Sequence, residues 1–337
     1  MPEPQIIIIG DINIDAVINA SVYPPEGGEA VVEQADFRPG GSGFNTSITL
    51  KKLGARVLHV GKIGTDPFGQ LAMGYLEKAG LDTELVEIDS GLQTGFFLIV
   101  ATPTAQRTMF GQRAANASAF DLKRIQSFLP SINWLHISGY TLMNNGQWLI
   151  IRQVVDAAHA KGIKISLDPG VCTVNTVKSR IMEILPYMEL FFPSQNELQG
   201  LVGSQSVENG IKQLLHLGVK AVVYKMGEQG SQYFDASKHF HQPAIHSDLP
   251  IQDTTGAGDC FDAGFLFGSM HGLDISDCLT LGNLIAYSLI TSPHGMLDIC
   301  QKSDIWEDID KFYRTHLGDE THRFKDLFRP MFNSASN

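Results

Sequence analysis

The chain has 337 residues, 43% of them hydrophobic, which is enough to bury the core of one large α/β domain or of two domains. Its formal net charge of -11 argues against a nucleic-acid partner, because phosphate backbones require clustered Lys and Arg side chains. The apolar run at 6–9 is too short to span a bilayer and has no basic leader, so we expect no membrane partner and a cytoplasmic location. The cysteines lack CxxC spacing, which indicates neither a zinc site nor a disulfide framework.

Apolar runs of strand length alternate with helical patterns along most of the chain. The predicted strands lie at 6–10, 56–60, 134–137, 163–167, 190–192 and 219–224. The predicted helices lie at 45–53, 68–79, 146–160, 207–216, 259–270 and 275–291. This alternation predicts an α/β fold with a mostly parallel central sheet that helices cover on both faces.

A different pattern interrupts the first third of the chain. The segments at 12–19, 29–37, 94–101 and 107–111 are strand-like, and no helical pattern separates the paired members. They predict a second, small sheet. Because no linker or internal repeat interrupts the chain, we expect one domain over 1–337 that carries this small sheet.

The most informative motif is the run DTTGAGD at 253–259, directly before an apolar helical segment. Gly256 and Gly258 let backbone N–H groups turn outward at the start of a helix, where they can bind an anion such as phosphate. Asp259 would repel that anion, so its chemical use would be to accept a proton from an attacking hydroxyl. The alternative is a tight turn in which Asp259 caps the helix.

Two further glycine-rich segments, GGSGFN at 40–45 and KMGEQG at 225–230, favour the functional interpretation. With them, the chain closely resembles the ribokinase-like (PfkB) carbohydrate kinases: 40–54 matches the N-terminal signature of that family and 253–268 the C-terminal one. The resemblance extends over nearly the whole chain. It implies transfer of the γ-phosphoryl group of ATP, with Mg²⁺, to a hydroxyl of a sugar or sugar-like molecule. It also implies that the small sheet is a lid over the sugar and often a homodimer interface.

The resemblance assigns catalytic and substrate-binding roles residue by residue. It makes Asp259 the general base, and it gives the anion hole to Gly256, Ala257 and Gly258. Asn13 and Asp15 occupy alternate positions of a strand and therefore share one face, where both could bind adjacent hydroxyls, although a hydrated lid surface would explain them too. The substrate-binding residues are accordingly Asn13, Asp15, Gly41 and Asn45.

The nucleotide is expected at the loop 225–230. The resemblance places Gly227 and Gly230 by the ATP phosphates or ribose and Asn283 near the adenine, and we expect Lys225 to bind the nucleotide as well. A plain hairpin turn would explain the loop equally well. Asn283 could also be a polar residue that faces solvent.

Two acidic residues are the candidate metal ligands. Glu197 is expected to hold Mg²⁺ through water, although Ser194 stands where the family commonly has Asn. A capping box formed by Ser194 and Glu197 fits the same spacing and could hold simultaneously. Asp253 matches a position that, in several family members, belongs to a loop binding a monovalent cation such as K⁺.

The acceptor molecule stays open at this stage. Ribokinase itself has Lys where this chain has Ser42, so a ketose, a sugar acid or a nucleoside could replace ribose. Arg107 and Arg113 could meet an acidic sugar across the lid, although exposed strand residues more often bind nothing specific.

Two other classes of protein compete with a carbohydrate kinase. A dinucleotide-dependent oxidoreductase is disfavoured because Phe261 and Thr46 stand where the third glycine of its fingerprint would be. A non-catalytic protein that senses sugars or nucleotides is disfavoured because a binding protein does not need the base Asp259.

Overall fold

The computed structural model contains two β-sheets and the helices that cover the larger one. It describes residues 5–32, 35–102, 107–203, 206–245, 249–302, 305, 306 and 309. In this part of the chain, no helix is both long and apolar enough to cross a membrane.

The elements are numbered in chain order. The strands are β1 (Gln5–Ile9), β2 (Asn13–Asn19), β3 (Ala35–Gly40), β4 (Arg56–Gly64), β5 (Val86–Asp89), β6 (Gly95–Ala101), β7 (Arg107–Gln112), β8 (Trp134–Ser138), β9 (Lys164–Asp168), β10 (Leu190–Phe191), β11 (Ala221–Lys225), β12 (Ser231–Asp235) and β13 (His239–Gln242). The α-helices are α1 (Ser42–Lys52), α2 (Pro67–Ala79), α3 (Leu122–Phe128), α4 (Asn145–Ala160), α5 (Val171–Ile184), α6 (Gln195–Val202), α7 (Val207–His216), α8 (Ala257–Met270), α9 (Ile275–Ile290) and α10 (Met296–Gln301).

The larger sheet has nine strands in the spatial order β13, β12, β11, β10, β9, β8, β1, β4 and β5. Strands β12 and β13 are antiparallel to their neighbours, and the other strand pairs are parallel. Strand β1 shows why both faces are covered: Ile6 and Ile8 belong to one buried hydrophobic cluster, whereas Ile7 and Ile9 belong to another. The predicted mostly parallel sheet with helices on both faces is therefore confirmed.

The smaller sheet has four strands in the order β3, β2, β6 and β7. Strand β2 runs parallel to β6, and the other two pairs are antiparallel. The segments predicted at 12–19, 94–101 and 107–111 agree with β2, β6 and β7 to within a residue.

The fourth predicted segment of the small sheet, 29–37, differs from the structure. Residues 29–32 form no strand, 33–34 lie outside the described residues, and β3 runs on to Gly40, which pairs with Asn13. Pro39 is tolerated in this strand because β3 lies at the edge of its sheet, where a missing N–H breaks no ladder.

The fold brings polar residues together at the carboxyl ends of the parallel strands. Asp11 follows β1, Asp168 ends β9 and Lys225 ends β11. In open α/β sheets ligands bind at this edge. The small sheet begins only a few residues after β1, so it lies next to the same edge.

Candidate active site

Two neighbouring cavities lie at this edge of the larger sheet. The small-sheet cavity, of about 430 Å³, lies against β2, β6 and β7 and reaches the start of α8. The helix cavity, of about 570 Å³, lies between the loop 225–230 and helices α8 and α9. Both are lined by Lys225, Gly227 and Gly258, so the two cavities meet at these residues.

Asp259 lies in the small-sheet cavity, in the first turn of α8. Its Oδ2 accepts a hydrogen bond of 2.8 Å from Nδ2 of Asn45. Burial and then the neighbouring carboxylate of Asp168 raise the pKa of Asp259 to about 7, against the hydrogen bonds from Asn45 and Ser42. The carboxyl group can therefore accept a proton near neutral pH.

The residues predicted to form the anion hole lie at the start of α8. Gly256 is the N-cap in a left-handed conformation, with φ of 83°, and no side chain caps the helix. The N–H of Ala257 already donates to the carbonyl of Thr254 at 3.2 Å, which leaves Gly258 better placed to bind an anion. Gly258 is also the residue of this group at the junction of the two cavities.

The paired glycines of the GGSGFN motif, Gly40 and Gly41, allow α1 to lie close against the small sheet. A Cβ atom on Gly40 would lie 2.1 Å from Oδ1 of Asp15, and one on Gly41 would lie 2.2 Å from the carbonyl of Asp11. Gly41 also has φ of 100°, which side-chain-bearing residues rarely adopt. Only glycine fits this approach, which places Asn45 in the cavity wall.

Asn13 and Asp15 both line the small-sheet cavity, on the shared strand face that their spacing predicts. The Oδ1 atom of Asn13 accepts a hydrogen bond of 2.8 Å from Asn116. Burial and then the carboxylates of Asp259 and Asp253 raise the pKa of Asp15 to about 7, although Arg38 opposes the shift. The structure therefore gathers Asn13, Asp15, Gly41, Asn45 and Asp259 in one cavity.

Arg113 forms an ion pair within the protein. Its Nε and Nη2 atoms donate to the two carboxylate oxygens of Asp11 at 2.7 and 2.8 Å, and Nη2 also donates to Gln147. A bidentate pair of this kind holds the guanidinium firmly. The contacts therefore do not support the expected meeting of Arg113 with an acidic sugar, and the side chain of Arg107 lies outside the described residues.

Glu197 forms the capping box that its spacing allows, and its side chain also reaches a cavity. Its Oε2 accepts a hydrogen bond of 2.7 Å from the N–H of Ser194, which completes a capping box on α6, and the residue also lines the small-sheet cavity. Burial and then Asp168 raise its pKa. Within the described residues no three metal-ligating side chains converge.

The loop 225–230 is a turn between β11 and β12, and it also lines the helix cavity. Gly227 has open space at its Cβ position, and Gly230 has φ of 90° with a Cβ position 2.1 Å from the carbonyl of Gln242. Asn283 lies in the cavity wall, but Nδ2 donates to backbone carbonyls and Oδ1 accepts from Ser231 at 3.0 Å. Asn283 is therefore buried against the protein instead of facing solvent, and its amide is engaged there.

Asp253 is bound on both carboxylate oxygens by groups of the chain. Oδ1 accepts from the N–H and hydroxyl of Thr255 at 2.8 and 2.7 Å, and Oδ2 accepts from Arg38 at 3.3 Å. The guanidinium already supplies a positive charge at this carboxylate. These contacts give no support to the expected monovalent cation.

Three residues in or next to the cavities were not predicted from the sequence: Asp168 lines the small-sheet cavity, Asp262 contacts Lys225, and Arg38 contacts Asp253. The sequence could have indicated Asp168, because this residue directly follows the predicted strand 163–167 and so lies at the ligand-binding edge. It could also have indicated Asp262, which is an acidic residue inside an otherwise apolar helix. Nothing in the sequence distinguishes Arg38 from an ordinary residue of a strand.

Residues 3–300 match the pfkB family carbohydrate kinase profile. Together with the fold, this match defines a kinase that transfers a phosphoryl group to an alcohol. The chain belongs to the pfkB family of carbohydrate kinases, which confirms the resemblance stated above.

The relatives include kinases of sugars and of nucleosides. Fructokinase-2 of Solanum lycopersicum is 26% identical over 278 residues, which cover 77% of this chain and 80% of the relative. A candidate ribokinase II from E. coli, solved with ATP and Mg²⁺, has a TM-score of 0.80 at 22% identity, over 93% of this chain and 100% of that one. The nucleoside kinase of Methanocaldococcus jannaschii has a TM-score of 0.74 at 19% identity, over 93% of this chain and 98% of that one. At these identities the structures establish the ribokinase-like fold.

Proposed function

We propose that the protein transfers the γ-phosphoryl group of ATP to a hydroxyl of a neutral sugar or a similar polyhydroxyl molecule, with Asp259 as the general base. The observation that carries this proposal is the place of Asp259: its carboxyl group lies in the small-sheet cavity, one residue after Gly258, where the two cavities meet. An acceptor in the small-sheet cavity and a nucleotide in the helix cavity would thus meet beside a proton acceptor.

The chemistry follows from that placement. The acceptor hydroxyl forms a bond to the γ-phosphorus, the bond between that phosphorus and the oxygen bridging to the β-phosphate breaks, and ADP leaves with that electron pair. The proton of the hydroxyl passes to the carboxylate of Asp259. Gly258 and the start of α8 stabilise the charge of the phosphoryl group as it moves.

The helix cavity suits the nucleotide. Its walls carry apolar side chains that can hold a base: Ile245, Leu249, Ile251, Phe261, Ala286, Tyr287 and Ile290. Lys225 and Gly227 lie at the end where the phosphates would face the other cavity, and Gly230 lines the helix cavity as well. The ATP and Mg²⁺ complex of the E. coli relative supports this choice of nucleotide.

Glu197 is the residue that would hold Mg²⁺, through water, while the phosphates of ATP supply its other ligands. Bound Mg²⁺ neutralises charge on those phosphates. The buried carboxyl group of Glu197 in the cavity wall fits this role.

The lining of the small-sheet cavity favours a neutral acceptor. Five of its residues carry carboxyl groups: Asp11, Asp15, Asp168, Glu197 and Asp259. The guanidinium of Arg113 is paired with Asp11 and the ammonium of Lys225 with Asp168, so a carboxylate of the protein already balances each positive charge. Oδ1 of Asn45 is buried and has no hydrogen-bond partner within the described residues, so it could accept a hydrogen bond from a sugar hydroxyl.

A nucleoside is the second candidate acceptor. Phe97, Ile99 and Met109 of the small sheet line the same cavity and offer an apolar surface to a base. The nucleoside kinase among the structural relatives makes the comparison worthwhile.

An acceptor panel tests the proposal. The protein is incubated with Mg-ATP and neutral sugars, sugar acids or nucleosides, and ADP release is followed. We expect ADP release with a neutral sugar or, for the second candidate, a nucleoside. Binding of ATP without acceptor-dependent ADP release would indicate a sensing protein and would contradict the proposal. Preferential turnover of a sugar acid would contradict the neutral-acceptor part alone.

A further inference from the structure

Lys225 is a largely buried cation at the junction of the two cavities, with 13% of its side chain exposed. Its Nζ donates to Oδ2 of Asp168 at 3.0 Å and lies 3.2 Å from the carboxyl group of Asp262, which is 0% exposed. Lys225 and its two partners come from three separate elements, β11, β9 and α8. The contacts fix the ammonium between the ends of two strands and the first turns of the helix.

The position of this ammonium matches the path of the phosphoryl group. Nζ lies 3.4 Å from the point where a Cβ atom of Gly258 would stand, so it is next to the first turn of α8. A phosphoryl group that passes from the helix cavity to the small-sheet cavity has to pass Lys225, Gly227 and Gly258. Two of the three N–H donors of Lys225 are used within the described residues, which leaves one for a phosphoryl oxygen.

Asp262 has the features of a neutral carboxyl group. Its carboxyl group and that of Asp168 both lie within 3.2 Å of the same ammonium, which balances only one negative charge, and two neighbouring carboxyl groups can share a hydrogen bond only if one of them carries a proton. Burial raises the pKa of Asp262, whereas Lys225 holds the pKa of Asp168 below its usual range despite burial. The three residues then carry one positive and one negative charge, so the cluster is neutral and its burial is less costly.

We propose that Asp262 is a positioning residue, which together with Asp168 holds the ammonium of Lys225 at the junction of the cavities, so that Lys225 contacts the phosphoryl group during its transfer. This inference rests on the proposed phosphoryl transfer. Lys225 gives up no proton in the reaction, because the proton of the acceptor passes to Asp259. The ammonium stabilises the negative charge of the transferred group instead.

Other roles for Lys225 and its partners predict different effects on stability, kcat and KM. If the cluster of Lys225, Asp168 and Asp262 only stabilised the fold, changes at Asp262 would lower the free energy of unfolding without a specific effect on kcat. If Lys225 only held ATP in place, its loss would raise KM for ATP and spare kcat.

Kinetics of variants at Lys225 and Asp262 separate these roles. Lys225→Met removes the charge, and we expect kcat to fall by about 10² to 10³ while KM for ATP changes little. Asp262→Leu keeps the size but loses the hydrogen bonds, and we expect kcat to fall by about 10- to 100-fold. Asp262→Asn can still donate to Asp168 and accept from Lys225, so it should recover most of the activity lost in Asp262→Leu.

The double variant Asp262→Leu/Lys225→Met gives the decisive comparison. If Asp262 acts through Lys225, the double variant is no slower than Lys225→Met alone. Effects that multiply in the double variant, or Asp262→Leu with wild-type kcat, would overturn the inference. Thermal unfolding of each variant monitors the fold, and Asp262→Ala replaces Asp262→Leu if the latter does not fold. A wild-type protein without acceptor-dependent ADP release would instead overturn the proposed function and this inference with it.

Discussion

The carboxyl groups of Asp15, which is buried, and Asp259, which is partly exposed, face the same cavity and carry pKa values raised to about 7. Burial is the main cause for both, and nearby carboxylates add to it. An acid near pH 7 is suited to exchange a proton with a hydroxyl at neutral pH. The environment thus gives ordinary aspartates the property that the proposed reaction needs.

The raised pKa of Asp259 predicts an acidic limb in the pH profile. A base acts in its ionised form, so kcat/KM for the acceptor should rise with pH, about tenfold per unit below pH 7, and level off above it. Steady-state rates at saturating Mg-ATP measure this profile. The variant Asp15→Asn should still show this rise of kcat/KM with pH, because Asp259 still titrates. A profile that is flat between about pH 5 and 8 would contradict the role of Asp259.

Arg38 predicts how the protein responds to monovalent cations. Because its guanidinium already contacts Asp253 and Asp36, we expect the same kcat/KM in potassium and tetramethylammonium salts at equal ionic strength. In Arg38→Met the carboxylates lose this partner, and potassium should then raise the rate. Strong activation of the wild-type protein by potassium would instead support the cation role predicted for Asp253.

At the level of single residues, the sequence indicated the residues at the start of α8 more readily than those in the interior of the site. Asp259 and the glycines around it lie in one short motif, so their joint role can be inferred from local spacing. Asp262 and Asp168 become partners of Lys225 only when α8, β9 and β11 meet in space. Such long-range pairs leave no periodic signal in a single sequence.

At the level of elements, helix α6 combines a structural and a proposed functional role in one acidic residue. Glu197 accepts from the backbone of Ser194 and also lines the small-sheet cavity. A capping residue is well ordered at the start of a helix, and the same order would hold a magnesium-bound water in place.

Variants at the two ends of this capping box separate the roles. Ser194→Ala removes a cap oxygen and should lower the free energy of unfolding by about 1 kcal/mol, with an unchanged dependence of the rate on Mg²⁺ concentration. Glu197→Gln keeps the capacity to accept the backbone hydrogen bond but loses the charge, so it should need more Mg²⁺ for the same rate. Equal magnesium dependence in both variants and wild type would leave Glu197 with the capping role alone.

Element boundaries followed from the sequence wherever apolar periodicity was strong. The predicted helix at 207–216 matches α7, and the one at 68–79 begins one residue later than α2. Both helices were predictable because each has an apolar stripe and a side-chain cap. Helix α5 was missed because its Val and Thr residues are weak helix formers, and the helix is kinked at Val177. Strand β13 was missed because it is short and largely exposed.

At the scale of the whole molecule, the small sheet is the proposed lid of the acceptor site and the proposed homodimer interface. Its edge strand β7 exposes Met109 by 48% and Phe110 by 54%. Exposed apolar residues on an open strand edge favour pairing with another chain. A second copy placed there would also cover Met109 where it lines the small-sheet cavity.

A sizing measurement by light scattering tests this interface. We expect a dimer for the wild-type protein and a monomer for Phe110→Asp, because a buried charge opposes association. Leu149→Asp is the matched control. Leu149 is 62% exposed on α4, outside the small sheet, so this variant should remain a dimer. A monomeric wild-type protein, or a Phe110→Asp dimer as stable as the wild type, would contradict the proposed interface.

The turnover number of Asp259→Asn, measured as ADP release with saturating acceptor and Mg-ATP, tests the central proposal most directly. Asparagine keeps the size and the contact with Asn45 but cannot take the proton, so kcat should fall by about 10² to 10⁴. ATP binding and the unfolding temperature should stay close to those of Asp82→Asn, a control at an exposed aspartate absent from the described lining of both cavities. Turnover by Asp259→Asn near the wild-type rate would show that another group accepts the proton.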